Sequence, residues 1–522
     1  MFFQKHNKEI IEDRSKSIFA QSSHFGRAMS SIDAEIALNF KEATNFNPLD
    51  YLKNEKSFLG LDHKTQKPLY IKNDDIVHSL ITAPTRAGKG IYFGIKAVEC
   101  LKAAKGLIVI DPKEDDFLPA IIKEELEKQD RVEDFIVWNW QNEFSFKTFE
   151  SDDEVEAAKK ITTMLNLIEV EDEAGASFYR KSERIALKKL MYLFYNSEEL
   201  LNYKAEKNLL NFCKFVNYFA SDLSNFIEFS KEKNKPKANI ELLEDLAKRY
   251  FDSKLFNKCN QFRERDISTL ESLSFSLSEF ENINFTENSS ILEALIDGKC
   301  IYIKSDMLDE TALKFLKFVI ADIINKARKY KKDTNCVVIA DEISFYPTSI
   351  LSAALATIAG FGVKFILAYQ DDGQLVNEYL KSAIKSNCQT KLYYKSSDIK
   401  TIEYIDKLGG QELVSKFFMN GMEQTVRQEQ ESFLNINKQR ALPKARVGIL
   451  IHESIPKPFI IDTSPILVSQ KFDWQVENNK TKMVEIHELE KKFSAMEFKV
   501  KKGDLSANVE DIENEKIEKF EI

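Results

Sequence analysis

Hydrophobic and polar positions alternate in two ways along this chain of 522 residues. Short apolar runs, typical of buried strands, occur at 78–83, 106–111, 134–138, 299–305, 336–341, 363–370 and 390–394. Helical periodicity separates several of them, most clearly at 89–104 and 310–330. A strand, a loop, a helix and a second strand in close succession form a βαβ unit, which requires a parallel sheet. The pattern therefore predicts an α/β fold.

Residues 151–290 have a different pattern, in which strand-like runs almost vanish. Apolar residues recur there on one helical face, at Val155, Ala158, Ile161, Leu165 and Ile168. The α/β pattern returns after this stretch. We therefore expect one mostly parallel sheet, built from two halves of the sequence, with an all-α domain inserted between them.

Composition and charge narrow the possible functions only slightly. The formal net charge of −9 excludes a uniformly basic nucleic-acid coat, although a local basic channel stays possible. Six scattered cysteines without a CxxC pair argue against a disulfide scaffold or a structural zinc site. Because no run approaches about 18 apolar residues, we expect a cytoplasmic chain whose membrane association, if any, comes through a partner.

The clearest chemical signal is a small-residue loop between a strand and a helix. It consists of Ala83, Pro84, Thr85, Arg86, Ala87, Gly88, Lys89 and Gly90. Successive backbone amides of such a loop wrap a β-phosphate, and the following helix N-terminus adds partial positive charge. Lys89 then reaches the β and γ oxygens. The loop predicts that the protein binds ATP.

Gly90 departs from the usual pattern, because a Ser or Thr hydroxyl that coordinates Mg²⁺ ordinarily stands there. We expect water, the nucleotide phosphates and carboxylates to complete the shell instead.

Two adjacent carboxylates end the apolar strand CVVIADE. Asp341 is expected to hold Mg²⁺ through water, and Glu342 to activate or orient the attacking water. Strands that end in acidic residues are common. The pair therefore indicates a nucleotide site only in combination with the phosphate loop.

Gln370 ends the strand VKFILAYQ and is a third candidate. Its carboxamide could contact the γ-phosphate or the lytic water, or could simply be a polar cap on a buried strand. Parallel strands bring such residues together at their carboxyl ends, where all three signals fall.

Other features have two interpretations each. Lys113 in IDPK could face the nucleotide or lie in a plain turn after Pro112. Trp138 and Trp140 fit half-buried strand positions better than base stacking. The basic run KARKYKK at 326–332 could contact DNA or the C-terminal dipole of its own helix. The acidic end of the tail is either a solvated segment or a docking peptide for a basic partner.

Several segments, in order, resemble the type IV coupling proteins of conjugation and type IV secretion, the TraG/TraD type. They are APTRAGKG, IVIDPKEDD, the long helical insertion, VVIADE and AYQDDGQL. The resemblance spans about 58–462 and implies a RecA-like P-loop NTPase core that forms a homohexameric ring. It also implies that the protein uses ATP and Mg²⁺ to deliver relaxase-bound DNA to channel subunits at the inner membrane.

Two departures from that family matter. The usual N-terminal transmembrane helices are absent, so contact with the channel would need another subunit. Ala359 stands where some relatives carry an arginine that serves a neighbouring subunit, which leaves Arg86, Arg265 and Arg427 as candidates for that role.

With this resemblance the chain divides into five segments. They are an N-terminal helical region at 1–57, the two halves of the nucleotide-binding domain at 58–150 and 291–472, the all-α domain at 151–290, and a charged, acidic-ended tail at 473–522. The leading hypothesis is an ATP-hydrolysing coupling protein or DNA translocase. A DNA-processing translocase of the chromosome or a mobile element, and a nucleotide-gated adaptor that selects protein effectors, are the alternatives.

Overall fold

The structure is a computed structural model, which describes residues 40–141, 144–167, 174–198, 205–231, 264–283, 285–420 and 423–474. Most of the predicted N-terminal helical region at 1–57 therefore lies outside the described residues, as do Ile168, Cys259 and nearly all of the tail. Residues 1–471 form one compact unit and residues 472–522 another. Everything below concerns the first unit.

Thirteen strands occur among the described residues. In chain order they are β1 (Lys56–Asp62), β2 (Pro68–Lys72), β3 (His78–Thr82), β4 (Gly106–Asp111), β5 (Phe135–Asn139), β6 (Cys300–Lys304), β7 (Cys336–Ala340), β8 (Val363–Tyr369), β9 (Cys388–Tyr394), β10 (Gln411–Asn420), β11 (Glu423–Ser432), β12 (Val447–His452) and β13 (Phe459–Asp462). Eleven form one sheet in the order β2-β1-β13-β12-β9-β3-β8-β7-β4-β6-β5, whereas β10 and β11 pair separately.

The described residues also form twelve α-helices. They are α1 (Lys89–Lys102), α2 (Leu118–Lys128), α3 (Glu154–Met164), α4 (Ala174–Tyr195), α5 (Leu209–Lys231), α6 (Glu264–Ser278), α7 (Ile291–Leu295), α8 (Glu310–Tyr330), α9 (Ser349–Ala354), α10 (Glu378–Asn387), α11 (Ile399–Leu408) and α12 (Ile436–Ala441). No helix in this part of the chain is both long enough and apolar enough to span a bilayer.

The centre of the sheet is parallel, as the βαβ pattern predicts. Strands β9, β3, β8, β7, β4, β6 and β5 pair in parallel, while β12, β13, β1 and β2 add an antiparallel edge. In register, Thr82 pairs with Tyr369 and Ala340 with Leu367. The carboxyl ends of β3, β8 and β7 therefore lie side by side, which is the geometry that gathers a ligand site in open parallel sheets.

The antiparallel strands are the main feature that the sequence analysis did not foresee. The separate hairpin of β10 and β11 was also missed. The edge strands pair by long-range contacts, such as Leu61 with Asp462, that a local pattern does not contain. Ahead of β1, residues Pro48–Tyr51 form a 3₁₀ turn that Asn47 caps.

The described parts of the stretch from α3 to α6 are mostly helical, as predicted, and pack into the same apolar cluster as α8. One detail of the predicted face is wrong. Val155 is half exposed, whereas Ala158 and Ile161 are buried, because Val155 occupies the first turn beside the capping residue Asp153 rather than the packed side of α3.

A buried network of charges joins α3 to α8. The Lys160 ammonium contacts Asp152 and lies 2.9 Å from Asp322, and Lys326 lies 2.7 Å from Asp152. All four side chains are at most 1% exposed. The basic run at 326–332 is thus partly structural, since Lys329 also pairs with Glu156 on α3.

The two tryptophans are structural as well. Trp138 is fully buried and donates a hydrogen bond to the Ser289 hydroxyl, while Trp140 packs on Phe315 and donates to Asp309. The described cysteines, at 100, 213, 300, 336 and 388, are buried free thiols.

Candidate functional site

The loop from Ala83 to Gly88 connects the buried end of β3 to the first turn of α1. Gly88 has φ 119° at the N-cap of α1, a left-handed conformation that favours glycine. The loop is held from both sides, because the Ala83 amide donates to Tyr369 and the Ala87 carbonyl accepts from Arg446. Thr85 and Arg86 are exposed at its tip. The backbone is therefore shaped to expose a small-residue loop at a helix N-terminus.

Lys89 connects this loop to the end of β7. Its ammonium lies 2.5 Å from Asp341 Oδ1 and 2.5 Å from Glu342 Oε1. Burial favours the neutral amine, but the two carboxylates outweigh it and raise the pKa of Lys89. The structure thus brings together the lysine of the predicted phosphate loop and the predicted carboxylate pair.

Glu342 is held in an unusual position. Its side chain is fully buried, and its backbone has φ 48°, a left-handed value uncommon for glutamate. Oε1 contacts both Lys89 and Lys113, whereas Oε2 is buried without a hydrogen-bond partner. Burial alone would raise the pKa of Glu342, but the two lysines lower it. A buried, ionised carboxylate with one free oxygen fits a group that orients or deprotonates water.

Asp341 precedes it and lies closer to solvent. Burial raises the pKa of Asp341 to about 6, although Lys89 opposes the shift. Its Oδ1 accepts the Glu342 amide at 2.7 Å, and its carbonyl accepts the Tyr346 hydroxyl. These bonds fix the turn that places the two carboxylates next to each other.

Gln370 follows β8, the strand between β3 and β7. Its side-chain nitrogen, Nε2, lies 3.3 Å from Glu342 Oε1. Its side-chain oxygen, Oε1, accepts a 3.1 Å hydrogen bond from Nε2 of Gln374. Gln370, at the end of a buried strand, therefore connects Glu342 to Gln374 in the turn that follows β8.

The loop after β4 forms the third side of the site. Asp111 is buried and accepts hydrogen bonds from the amides of Lys113 and Asp115 and from the Tyr302 hydroxyl. This arrangement directs Lys113 to Glu342, so the nucleotide-facing interpretation of Lys113 agrees with the geometry better than a plain turn.

The environment of Gly90 allows a test of whether Mg²⁺ fits. A Cβ built on Gly90 would lie 3.6 Å from Oδ2 of Asp115, an ordinary van der Waals distance, so a carboxylate oxygen lies beside the position where a hydroxyl usually stands. Asp341 supplies a second carboxylate at the loop. No group of three or more metal-binding side chains forms among the described residues. The carboxylates of Asp341 and Asp115 fit a Mg²⁺ that takes its other ligands from water and phosphates.

The three arginine candidates belong to three different elements. Arg86 is exposed on the loop, Arg265 belongs to α6 and Arg427 to β11, and the side chains of the last two lie outside the description. Sequence reasoning missed Gln374 and Asp115. The only signal for them was their position in AYQDDGQL and IVIDPKEDD.

Comparison with known proteins now gives this geometry a context. A family model described as type IV secretory system conjugative DNA transfer matches residues 31–443, most of the chain. The chain belongs to this family. No curated protein matches the chain in sequence.

Several solved structures that resemble this family member are coupling proteins. The unbound bacterial conjugative coupling protein TrwBdeltaN70 has a TM-score of 0.58 and 12% identity, over 84% of this chain and 96% of the other. The plasmid coupling protein TrwB with the ATP analogue ADPNP has a TM-score of 0.54 and 13% identity, over 84% and 97%. TrwB with ADP and Mg²⁺ has a TM-score of 0.53 and 13% identity, over 86% of this chain and 95% of the other. The fold is that of a RecA-like P-loop NTPase with an all-α domain.

Proposed function

We propose that this protein is an ATP-hydrolysing coupling protein that moves DNA substrates to a conjugation or type IV secretion channel. The observation that carries the proposal is the contact of Lys89, after β3, with both Asp341 and Glu342, after β7, at the carboxyl ends of the two parallel strands that flank β8. The family membership and the TrwB structures with ADPNP and with ADP and Mg²⁺ support the choice of ATP and Mg²⁺.

The residues of the loop would bind the triphosphate. Backbone amides of Ala83–Gly90 surround the β-phosphate, and the N-terminus of α1 adds partial positive charge. Lys89 moves its charge from the carboxylates to the β and γ oxygens, because phosphate oxygens compete for the same ammonium.

The carboxylates then carry out separate tasks. Asp341 would hold Mg²⁺ through water, and bound Mg²⁺ neutralises charge on the β- and γ-phosphates. Glu342 accepts the proton of the attacking water, while Gln370, already bonded to Glu342, orients that water and reports the γ-phosphate. The catalysis rests on positioning and charge stabilisation.

The assembly and its partners are part of the same proposal. A homohexameric ring would take a relaxase–DNA substrate and work at the inner membrane through subunits of the channel. The segment boundaries at 57, 150, 290 and 472 are retained as the domain division of this motor.

The test is ATP turnover with and without single- and double-stranded DNA, over a range of protein concentrations. Stimulation by DNA and a rate per subunit that rises with concentration would support a DNA motor with shared active sites. Mass measurement must accompany it, because a stable hexamer also gives a flat concentration dependence. Measurable hydrolysis that neither DNA form changes would contradict the DNA part of the proposal and favour an adaptor for proteins.

A further inference from the structure

The position that lacks a hydroxyl, Gly90, has a carboxylate beside it. The ideal Cβ of residue 90 would be 3.6 Å from Oδ2 of Asp115, an ordinary van der Waals distance. Position 90 lies in the first turn of α1, one residue after Lys89. An oxygen of Asp115 therefore occupies the neighbourhood that a serine hydroxyl at residue 90 would reach.

The backbone of Asp115 is fixed in that place. Its amide donates a 2.9 Å hydrogen bond to the buried Asp111 carboxylate, and its Oδ1 accepts a 2.8 Å hydrogen bond from the Phe117 amide. The Phe117 bond occupies Oδ1, so Oδ2 is the oxygen that lies on the side of Gly90. A ligand oxygen held in advance loses little freedom when it binds a metal.

Asp115 and Asp341 lie beside consecutive residues at the start of α1. Asp341 lies 2.5 Å from the Lys89 ammonium, and Asp115 lies beside Gly90. Carboxylates from two different loops therefore lie at the end of the phosphate loop. Mg²⁺ in nucleotide sites is held by one or two carboxylates together with phosphates and water.

We propose that Asp115 takes the place of the missing hydroxyl at residue 90 and binds, through Oδ2, the Mg²⁺ that accompanies the nucleotide. This inference rests on the proposed function of the phosphate loop, and it adds a metal ligand from the loop after β4. Mg²⁺ binds its oxygen ligands at about 2.1 Å. A metal beside residue 90 can therefore take its ligand either from a hydroxyl at that residue or from the Asp115 carboxylate.

The test measures metal binding instead of turnover. Fluorescent mant-ADP is bound to the full-length protein, and its affinity is followed as Mg²⁺ is titrated and again in EDTA. Asp115→Asn removes the charge but keeps an oxygen for the Phe117 amide, so the turn is retained. Asp116→Asn is the matched control, because it removes the neighbouring charge, which lies on the side of Lys471.

We expect Asp115→Asn to weaken the apparent Mg²⁺ affinity by roughly tenfold or more and to leave mant-ADP binding in EDTA unchanged. Asp116→Asn should behave like wild type. Adding Gly90→Ser to Asp115→Asn should restore most of the Mg²⁺ affinity, since it supplies the missing hydroxyl and its Cβ has room.

Three results would overturn the inference. Equal Mg²⁺ affinity in Asp115→Asn and wild type would exclude Asp115 as a metal ligand. So would a variant whose mant-ADP affinity falls by the same factor in EDTA as in Mg²⁺. The third is a wild-type protein that binds mant-ADP with the same affinity with and without Mg²⁺. That result would contradict the metal site but not the proposed binding of phosphate by the loop. A wild-type protein that binds no nucleotide at all would instead defeat the proposed function, and the inference with it.

Discussion

The ammonium of Lys89 lies 2.5 Å from the carboxylate of Asp341, although the whole helical stretch from α3 to α6 separates them in sequence. The contact exists because β3 and β7 flank β8 in the sheet and all three strands run in the same direction. The two sequence halves of the sheet, which pair along several strands, thus also meet through side chains at the carboxyl ends of β3 and β7.

Replacement of Lys89 by alanine should abolish ATP hydrolysis, because no other loop side chain supplies a buried positive charge to the phosphates. Steady-state phosphate release measures this directly. Lys102→Ala is the control, since Lys102 is exposed at the other end of the same helix. Hydrolysis at the wild-type rate in Lys89→Ala would show that the active site lies elsewhere.

The Glu342→Gln variant should bind ATP but hydrolyse it at least about 100 times more slowly, because an amide does not accept the proton of the attacking water. Binding of a labelled ATP and single-turnover hydrolysis separate the two steps. Glu127→Gln, an exposed position on α2, should retain full activity. If turnover in Glu342→Gln matches that of wild type, Glu342 is not the base.

His78 makes stability depend on pH between about 4 and 6.5. Burial lowers the pKa of His78 to about 4, and its Nδ1 accepts the Phe365 amide while Nε2 bonds to the Leu355 carbonyl. Between these pH values His78 is protonated in the unfolded chain but neutral in the folded chain. Stability therefore falls as the pH drops through this window.

The size of this effect follows from the two pKa values. Between pH 7 and pH 5 the His78 contribution to the free energy of unfolding should fall by about 2 kcal/mol. Urea unfolding of wild type and His78→Gln at both pH values measures it, because other groups contribute equally to both proteins. The same pH dependence in the two proteins would be evidence that His78 is not the responsible group.

Gly362→Ala should destabilise the fold by about 2 kcal/mol or more. Gly362 has φ 83°, and a Cβ there would lie 1.9 Å from the Thr334 carbonyl oxygen, at the turn that leads into β8. Gly360→Ala is a close control, because a Cβ at residue 360 meets no atom within 4 Å. Chemical denaturation compares the two variants, and equal midpoints would contradict the steric argument.

Lys160→Met should cost about 3 kcal/mol or more, since it leaves the buried charges of Asp152 and Asp322 short of a partner. Lys159→Met, one residue earlier on the exposed side of α3, should change stability by less than about 0.5 kcal/mol. Thermal unfolding of both variants tests whether this network holds α3 on α8. A loss in Lys160→Met as small as that in Lys159→Met would argue against it.

The local sequence determined the elements that depend on short-range pattern and chemistry. The runs around His78, Gly106 and Cys336 predicted the parallel strands, because buried strands of such sheets are continuously apolar. The loop before α1 could be predicted to bind phosphate, since small residues and a lysine between a strand and a helix fit the spacing of a phosphate loop.

Only the tertiary structure decided how these pieces meet. The antiparallel edge of β1, β2, β12 and β13, the contact of Lys113 with Glu342, and the approach of Asp115 to Gly90 all join residues from different elements. Burial and pairing across the sheet fix such contacts, because strand order depends on the free energy of packing the whole chain and not on any local run of residues.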